Sequence, residues 1–356
     1  MKNIKRVFIL LLIPILLLST PLSAYAEESS IPTTVVEDGV TVSSRIWELL
    51  FGKRMQKTEH TESLVVGGDV FGARIYQGYI RFCKDVEGTE ISEDDVLQNV
   101  DGVEVCTLRD LAGVLGIGDS THTLMVKSAK RSYECNIDGK ELCQRVLSAA
   151  RDGAAGIGTV TYIDPIDMTF GGLGHGICDE SGDVLPLESG KVTGVILGGT
   201  LKGENGRPGE LSGILTDRKL GEIKTNTNTG VFGQLSEWKL DKSSAIPIAK
   251  RDEVKEGAAT IISTVKNGKK MSYTVELFDI DPSETGTKCF KIRVTDNALL
   301  SMTGGIVRGM SGSPIIQNGK LVGAVTHVMV ANPTEGYGIF IENMLNTSQM
   351  PMAKAS

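Results

Sequence analysis

Apolar and polar positions follow different rhythms in successive stretches of the chain. Residues 7–18 form an almost unbroken apolar run, preceded by Lys2, Lys5 and Arg6. Residues 27–42 are polar, and the short apolar cluster Ile46-Trp47-Glu48-Leu49-Leu50-Phe51 ends at Gly52. From Ser63 the apolar positions alternate over short stretches, which predicts strands at Leu64-Val65-Val66, Phe71-Gly72-Ala73-Arg74-Ile75 and Gly78-Tyr79-Ile80-Arg81-Phe82. Residues 95–105 place two strands around Asp101-Gly102, a dipeptide suited to the tight turn of a hairpin. Thr107 is a candidate N-cap for a helix over 108–115, which Gly116 and Gly118 would stop. Residues 121–127 then pair naturally with 132–137. Beyond Arg151 no long helical period occurs, and glycines punctuate short apolar stretches, as in an all-β barrel or sandwich.

Composition narrows the class. The 356 residues are 40% hydrophobic and 23% charged, ordinary for a folded soluble protein, and the length predicts two domains. Aromatics supply only 5%, whereas 42 glycines favour tight turns and short strands over helical bundles. With Lys+Arg 37 against Asp+Glu 44, the net charge of −7 argues against a nucleic-acid partner, which needs a basic face to neutralise phosphates.

The basic start, the apolar run and the small-residue site Ser23-Ala24-Tyr25-Ala26 read as an export signal over residues 1–26. Left uncleaved, residues 7–26 would anchor the chain to a membrane surface. Cleavage removes three cations and no anion, so the exported chain carries −10, with residues 27–62 as a tether. Outside the cell Cys83, Cys106, Cys135, Cys143, Cys178 and Cys289 would permit up to three disulfides, or stay as core thiols. No C-x-x-C, H-E-x-x-H or P-loop occurs, and His60, His122, His175 and His327 are far apart in sequence, so neither a metal nor a nucleotide is indicated.

The sharpest chemical signal is Gly309-Met310-Ser311-Gly312-Ser313-Pro314, followed by strand-like residues around Asn318-Gly319. A serine nucleophile needs an exposed hydroxyl in surroundings open to a substrate carbonyl, and small flanking residues allow that approach. The same turn can direct the N–H groups of Gly309 and Ser311 at one point, an oxyanion hole. The stretch is similar to the G-x-S-G-x-P of chymotrypsin-type serine proteases. Of the histidines, His60 falls in the tether and His122 in the region before residue 138. His175 sits among glycines in Gly171-Gly172-Leu173-Gly174-His175-Gly176, a setting for an exposed functional side chain. His327 follows the serine and would need Glu335 or Glu342 as its acid. For His175 the orienting acid stays open by spacing among several aspartates, including Asp179, Asp217 and Asp296, since a triad meets only in the fold. For Asp296 an N-cap role is the alternative.

Two resemblances add to this reading. Residues 63–138 resemble a PDZ domain, with Phe71-Gly72-Ala73-Arg74 as the peptide-binding loop, residues 95–102 as the strand-turn stretch and 108–115 as the groove helix. That resemblance implies an extended peptide added as an edge strand. Residues 150–350 resemble the stage IV sporulation protein B family of serine peptidases. The resemblance rests on Ala154-Ala155-Gly156-Ile157-Gly158-Thr159, Leu173-Gly174-His175, Pro208-Gly209-Glu210, Thr303-Gly304-Gly305-Ile306-Val307 and Gly323-Ala324-Val325-Thr326-His327. It implies a mostly β chain, a small PDZ-like domain followed by a chymotrypsin-like double barrel, with a His175, Asp296 and Ser311 triad and no cofactor. It further implies export to the forespore intermembrane space, self-processing near the N-terminus, and cleavage of a membrane-bound regulator that activates the mother-cell sigma factor sigma-K. The rival readings are a non-catalytic PDZ-tethered scaffold and a Ser-His-Asp esterase.

Overall fold

The computed structural model describes residues 63–116, 120–266 and 268–348, together with the strands Thr34–Glu37 (β1) and Val40–Ser43 (β2), which pair as a hairpin. The expected signal and anchor within residues 1–26, and the remainder of the expected tether 27–62, lie outside the described residues.

Local sequence signals account for the elements that follow. Strands β3 (Ser63–Val66), β4 (Val70–Phe82), β5 (Val96–Val100) and β6 (Val103–Glu104) come first. Asp101 (φ 53°) and Gly102 (φ 77°) turn β5 into β6, both in the left-handed region that a twisted two-residue hairpin demands. Helix α1 (Leu108–Leu115) begins where the Thr107 hydroxyl accepts from the Asp110 N–H at 3.1 Å, and ends at Gly116. Strands β7 (Thr121–Lys127) and β8 (Ser132–Asp138) pair antiparallel, and α2 (Gly139–Ala149) leads into β9 (Ala150–Ile163). Leu97, Leu111, Leu124, Val126 and Val146 pack with Ile80 and Phe82 as the core of this small lobe.

Strands β10 (Thr169–Gly172), β11 (Ser189–Leu201), β12 (Glu210–Thr227) and β13 (Gly230–Leu235) complete a first barrel with β4 and β9. Neighbours run β9, β10, β13, β12, β11, β4, and β4 pairs back onto β9, with Phe71 opposite Gly158, to close the ring. Phe71, Ala73, Ile75, Val160, Phe170 and Val231 fill it. Strand β14 (Ala245–Pro247) extends the edge beside β3. Strands β15 (Gly257–Lys266), β16 (Lys269–Phe278), β17 (Phe290–Val294), β18 (Pro314–Gln317), β19 (Lys320–Val328) and β20 (Glu335–Phe340) form a second closed barrel in the order β15, β16, β17, β20, β19, β18. Helix α3 (Asn297–Thr303) precedes β18, and α4 (Ile341–Ser348) follows β20. Closure leaves few open edges, and each barrel buries its own apolar face. Two antiparallel barrels in tandem are the chymotrypsin-like architecture expected from the sequence.

The small lobe, however, is an insertion within the first barrel. Strand β4 serves both bodies: Phe71, Ala73 and Ile75 point into the barrel core, whereas Ile80 and Phe82 point into the lobe core. Between them, at Gly78 (φ 83°), the pairing with β9 slips. Residues 70–77 therefore belong to the barrel and β3 pairs with β9 beside it, so the lobe begins near Gly78 rather than at residue 63.

The same pairing corrects the expected peptide-binding loop. Phe71, Gly72, Ala73 and Arg74 lie inside β4, opposite Gly158, Ile157, Gly156 and Ala155 of β9 on one side. On the other side Gly72, Ala73 and Arg74 face Thr193, Val192 and Lys191 of β11. With both edges paired, no incoming peptide can add there, and Phe71 and Ala73 are core residues. The position an added peptide would take beside β4 is filled by the chain's own β9. The first residue of α1 is tied to that strand, since the Leu108 N–H donates to the Asp152 carboxylate at 2.8 Å.

Candidate active site

His175 leaves the first barrel directly after β10. Leu173 (φ 67°) and Gly174 (φ 69°) both take left-handed backbone, and the Gly174 N–H closes back on the Gly172 carbonyl at 2.8 Å. A side chain at Gly174 would press on Thr326 and Ile339 of the second barrel, at 3.0 and 3.2 Å. Glycine there lets the two barrels approach closely enough to share a site. Ser311 enters from the other barrel, on the loop between α3 and β18. Gly309 (φ 96°) and Gly312 (φ 93°) give that loop the backbone angles that its sequence predicts.

His175, Gly309 and Ser311 line a single cavity of about 360 Å³. The Ser311 hydroxyl donates to the Thr326 carbonyl at 2.8 Å and is not bonded to His175. Nδ1 of His175 lies 2.8 Å from the Gly176 carbonyl oxygen. A carbonyl can only accept, so Nδ1 carries the proton and Nε2 keeps the lone pair, the tautomer a general base requires. Burial pushes the His175 pKa below the ordinary histidine value, with the Gly176 hydrogen bond opposing it, so the ring rests neutral.

The loop geometry also bears on the oxyanion hole. A trans peptide points its N–H opposite its carbonyl. The Arg308 carbonyl, in one peptide plane with the Gly309 N–H, accepts from the Leu211 N–H at 2.8 Å. The Met310 carbonyl, in one plane with the Ser311 N–H, accepts from the Ser313 N–H at 2.9 Å. The N–H groups of Met310 and Gly312 are used, on the Val307 and Val325 carbonyls. Those of Gly309 and Ser311 have no acceptor among the described residues, leaving both donors available.

Asp296 is not brought to this site. Its Oδ1 accepts from the Leu299 N–H at 2.9 Å and its Oδ2 from the Thr274 N–H at 3.4 Å, so it caps α3. It makes no hydrogen bond or ion pair with His175 and does not line the cavity. This corrects the triad implied by resemblance in favour of the N-cap alternative. The ring that does meet His175 is His327 of β19, with centroids 5.0 Å apart and planes tilted by 35°. Nδ1 of His327 is buried without a partner. Burial first, then the neighbouring His175 and Lys288, depress its pKa to about 4. Neither acid considered for His327 reaches it: Glu335 pairs with Arg293 at 2.9 Å and Glu342 with Arg251 at 2.6 Å. His122 belongs to the lobe, where Nδ1 lies 2.7 Å from the Asp101 carboxylate at the hairpin turn. His60 lies outside the described residues.

Sequence reasoning missed Thr159, a fully buried β9 residue whose N–H and hydroxyl both hold the serine loop. Among the described residues no group of three or more His, Cys, Asp or Glu is arranged to hold a metal ion. All six cysteines are free thiols, with Cys135, Cys143 and Cys289 buried.

Residues 145–345 match the family SpoIVB peptidase S55. No curated protein matches the chain in sequence. Among solved structures, the chain is similar to the Rv3671c protease in its inactive form, at 14% identity and a TM-score of 0.31, covering 55% of this chain and 85% of that one. The active form of the same protease, from M. tuberculosis, matches at 13% identity and a TM-score of 0.33, covering 57% of this chain and 78% of that one.

Proposed function

The chain belongs to the SpoIVB peptidase S55 family and is a serine endopeptidase, and we propose that Ser311 is its nucleophile and His175 its base. The observation that carries this reading is the placement of His175, in its base tautomer, and Ser311 on one cavity between the barrels. The Ser311 hydroxyl turns from the Thr326 carbonyl toward Nε2 of His175, gives up its proton there, and attacks the scissile carbonyl carbon. The N–H groups of Gly309 and Ser311 stabilise the tetrahedral oxyanion. His175 then protonates the leaving amine, and water releases the acyl group by the reverse sequence. The Gly176 carbonyl fixes the imidazole tautomer, the role an aspartate holds in the Ser-His-Asp arrangement.

Beyond the reaction, the biological setting follows the family resemblance. The protein is exported into the space between the forespore membranes, with residues 7–26 as its membrane link until they are removed. It processes itself near its own N-terminus and cuts a membrane-bound regulator, so that sigma-K is activated in the mother cell. Mass spectrometry of the exported protein, wild type against Ser311→Ala, tests both parts. The wild type should lose an N-terminal segment that Ser311→Ala retains, and co-expressed regulator should be cut only by the wild type. Cleavage that persists in Ser311→Ala would remove Ser311 from the mechanism. Ester turnover without peptide turnover would favour the esterase reading.

A further inference from the structure

The cavity beside Ser311 has a consistent chemistry. From the first barrel Ile157 and Leu173 wall it, and from the second Ile306, Val307, Val328 and Val330. Among the described residues no aspartate or glutamate lines it. One ionic side chain does, the exposed Arg308, three residues before the nucleophile, and Arg308 has no ion-pair partner among the described residues. Glu210 sits opposite Arg308 on a parallel bridge, yet its carboxylate makes no pair with the guanidinium.

These walls discriminate by desolvation. A lysine or arginine side chain entering the cavity would give up water, find no carboxylate, and meet Arg308 as a like charge. An aspartate directed inward at the scissile position would lose its hydration among isoleucine, leucine and valine, with only the exposed Arg308 to pair it. An apolar side chain loses nothing on entering and gains contact with the branched walls. An acidic residue beside the scissile position, at the cavity rim, would supply the partner that Arg308 lacks.

We propose that the cavity is the substrate's side-chain subsite, and that it selects polypeptide segments with an apolar residue at the scissile position and a carboxylate next to it. The inference rests on the serine-peptidase reading above and specifies the substrate class for that site.

A fluorogenic peptide library, varied at the scissile position and its neighbours, tests the proposal on the exported protein alongside Ser311→Ala and Arg308→Glu. Peptides with Leu, Met or Val at the scissile position should exceed those with Lys, Arg or Asp by at least about tenfold in kcat/KM, the scale at which side-chain pockets discriminate. Arg308→Glu should lower turnover of peptides with a flanking acid by about tenfold more than it lowers turnover of the matched uncharged-flank peptides. Serine-dependent cleavage that prefers Lys or Arg, or is indifferent to the scissile residue, would overturn the subsite while leaving the peptidase reading in place. Equal loss on all peptides in Arg308→Glu would overturn the role of Arg308. Cleavage unaffected by Ser311→Ala would overturn the peptidase reading and the subsite with it.

Discussion

The hydroxyl of Thr159 donates to the carbonyl of Gly309 at 2.8 Å across the seam between the barrels. The Thr159 N–H donates to the Ser311 carbonyl at 2.9 Å, and the Thr161 hydroxyl to the Gly312 carbonyl at 2.8 Å. Strand β9 of the first barrel thus holds three carbonyls of a loop whose nucleophile belongs to the second. Anchored carbonyls fix the peptide planes on either side of Ser311.

Removing the Thr159 hydroxyl tests how far that anchoring serves catalysis. Thr159→Val keeps the shape and leaves the Gly309 carbonyl without its side-chain donor in a buried place, a cost of about 1–3 kcal/mol. Stability should fall by roughly that amount, and kcat should fall by about tenfold or more with KM little changed, because the loss bears on transition-state geometry. Thr159→Ser should restore both. Equal kcat in wild type and Thr159→Val would show that the loop holds its form without this bond.

Asp296 separates a structural from a catalytic role cleanly. As an N-cap of α3 it is replaceable by residues that also cap. Asp296→Ala should cost about 1 kcal/mol of stability, and Asp296→Ser or Asp296→Asn should recover most of it. All three should keep kcat/KM within about threefold on a short peptide. If serine restores stability and activity stays lost, Asp296 orients His175 in a conformation other than the one described.

The contrast between Asp296 and the hairpin turn at Asp101-Gly102 shows where sequence is informative. Asp101 and Gly102 both need left-handed backbone within two residues, and Thr107 needs a helix start within three, so neighbours alone determine the outcome. The turn at Asn318 (φ 52°) and Gly319 (φ 75°) between β18 and β19 was legible for the same reason. The glycine settings of His175 and Ser311 were legible too, because close approach demands small residues. The dual allegiance of β4 was not. Alternating apolar positions from Phe71 to Phe82 are the same whether one core receives them or two. Nor was the meeting of His175 with His327, or of Thr159 with Gly309, since barrel closure alone brings such distant residues together. Resemblance carried Asp296 to the triad on its local setting, and local setting is what an N-cap also requires.

The paired imidazoles give the protein a definite response to acid. In the unfolded chain His327 takes up a proton near the ordinary pKa of 6.5, whereas in the folded protein burial, His175 and Lys288 hold it neutral down to about 4. Between those values the unfolded state binds more protons, so stability falls as pH drops from 6.5 toward 4 and this contribution levels off below. His175, lowered in the same direction by burial, adds to the same trend. Activity should behave differently. A base must be neutral, and a depressed pKa keeps His175 neutral below 6.5, so the acidic limb of kcat should lie below the ordinary histidine range. Chemical denaturation at several pH values between 4 and 6.5 should show a shallower loss in His327→Gln than in wild type. The pH profile of kcat in the same variant separates the two rings. Burial and not His327 lowers His175, so the acidic limb should stay below 6.5 in this variant. A limb that moves up to 6.5 would make His327 part of what depresses His175, and an unchanged stability slope would remove His327 from the acid response.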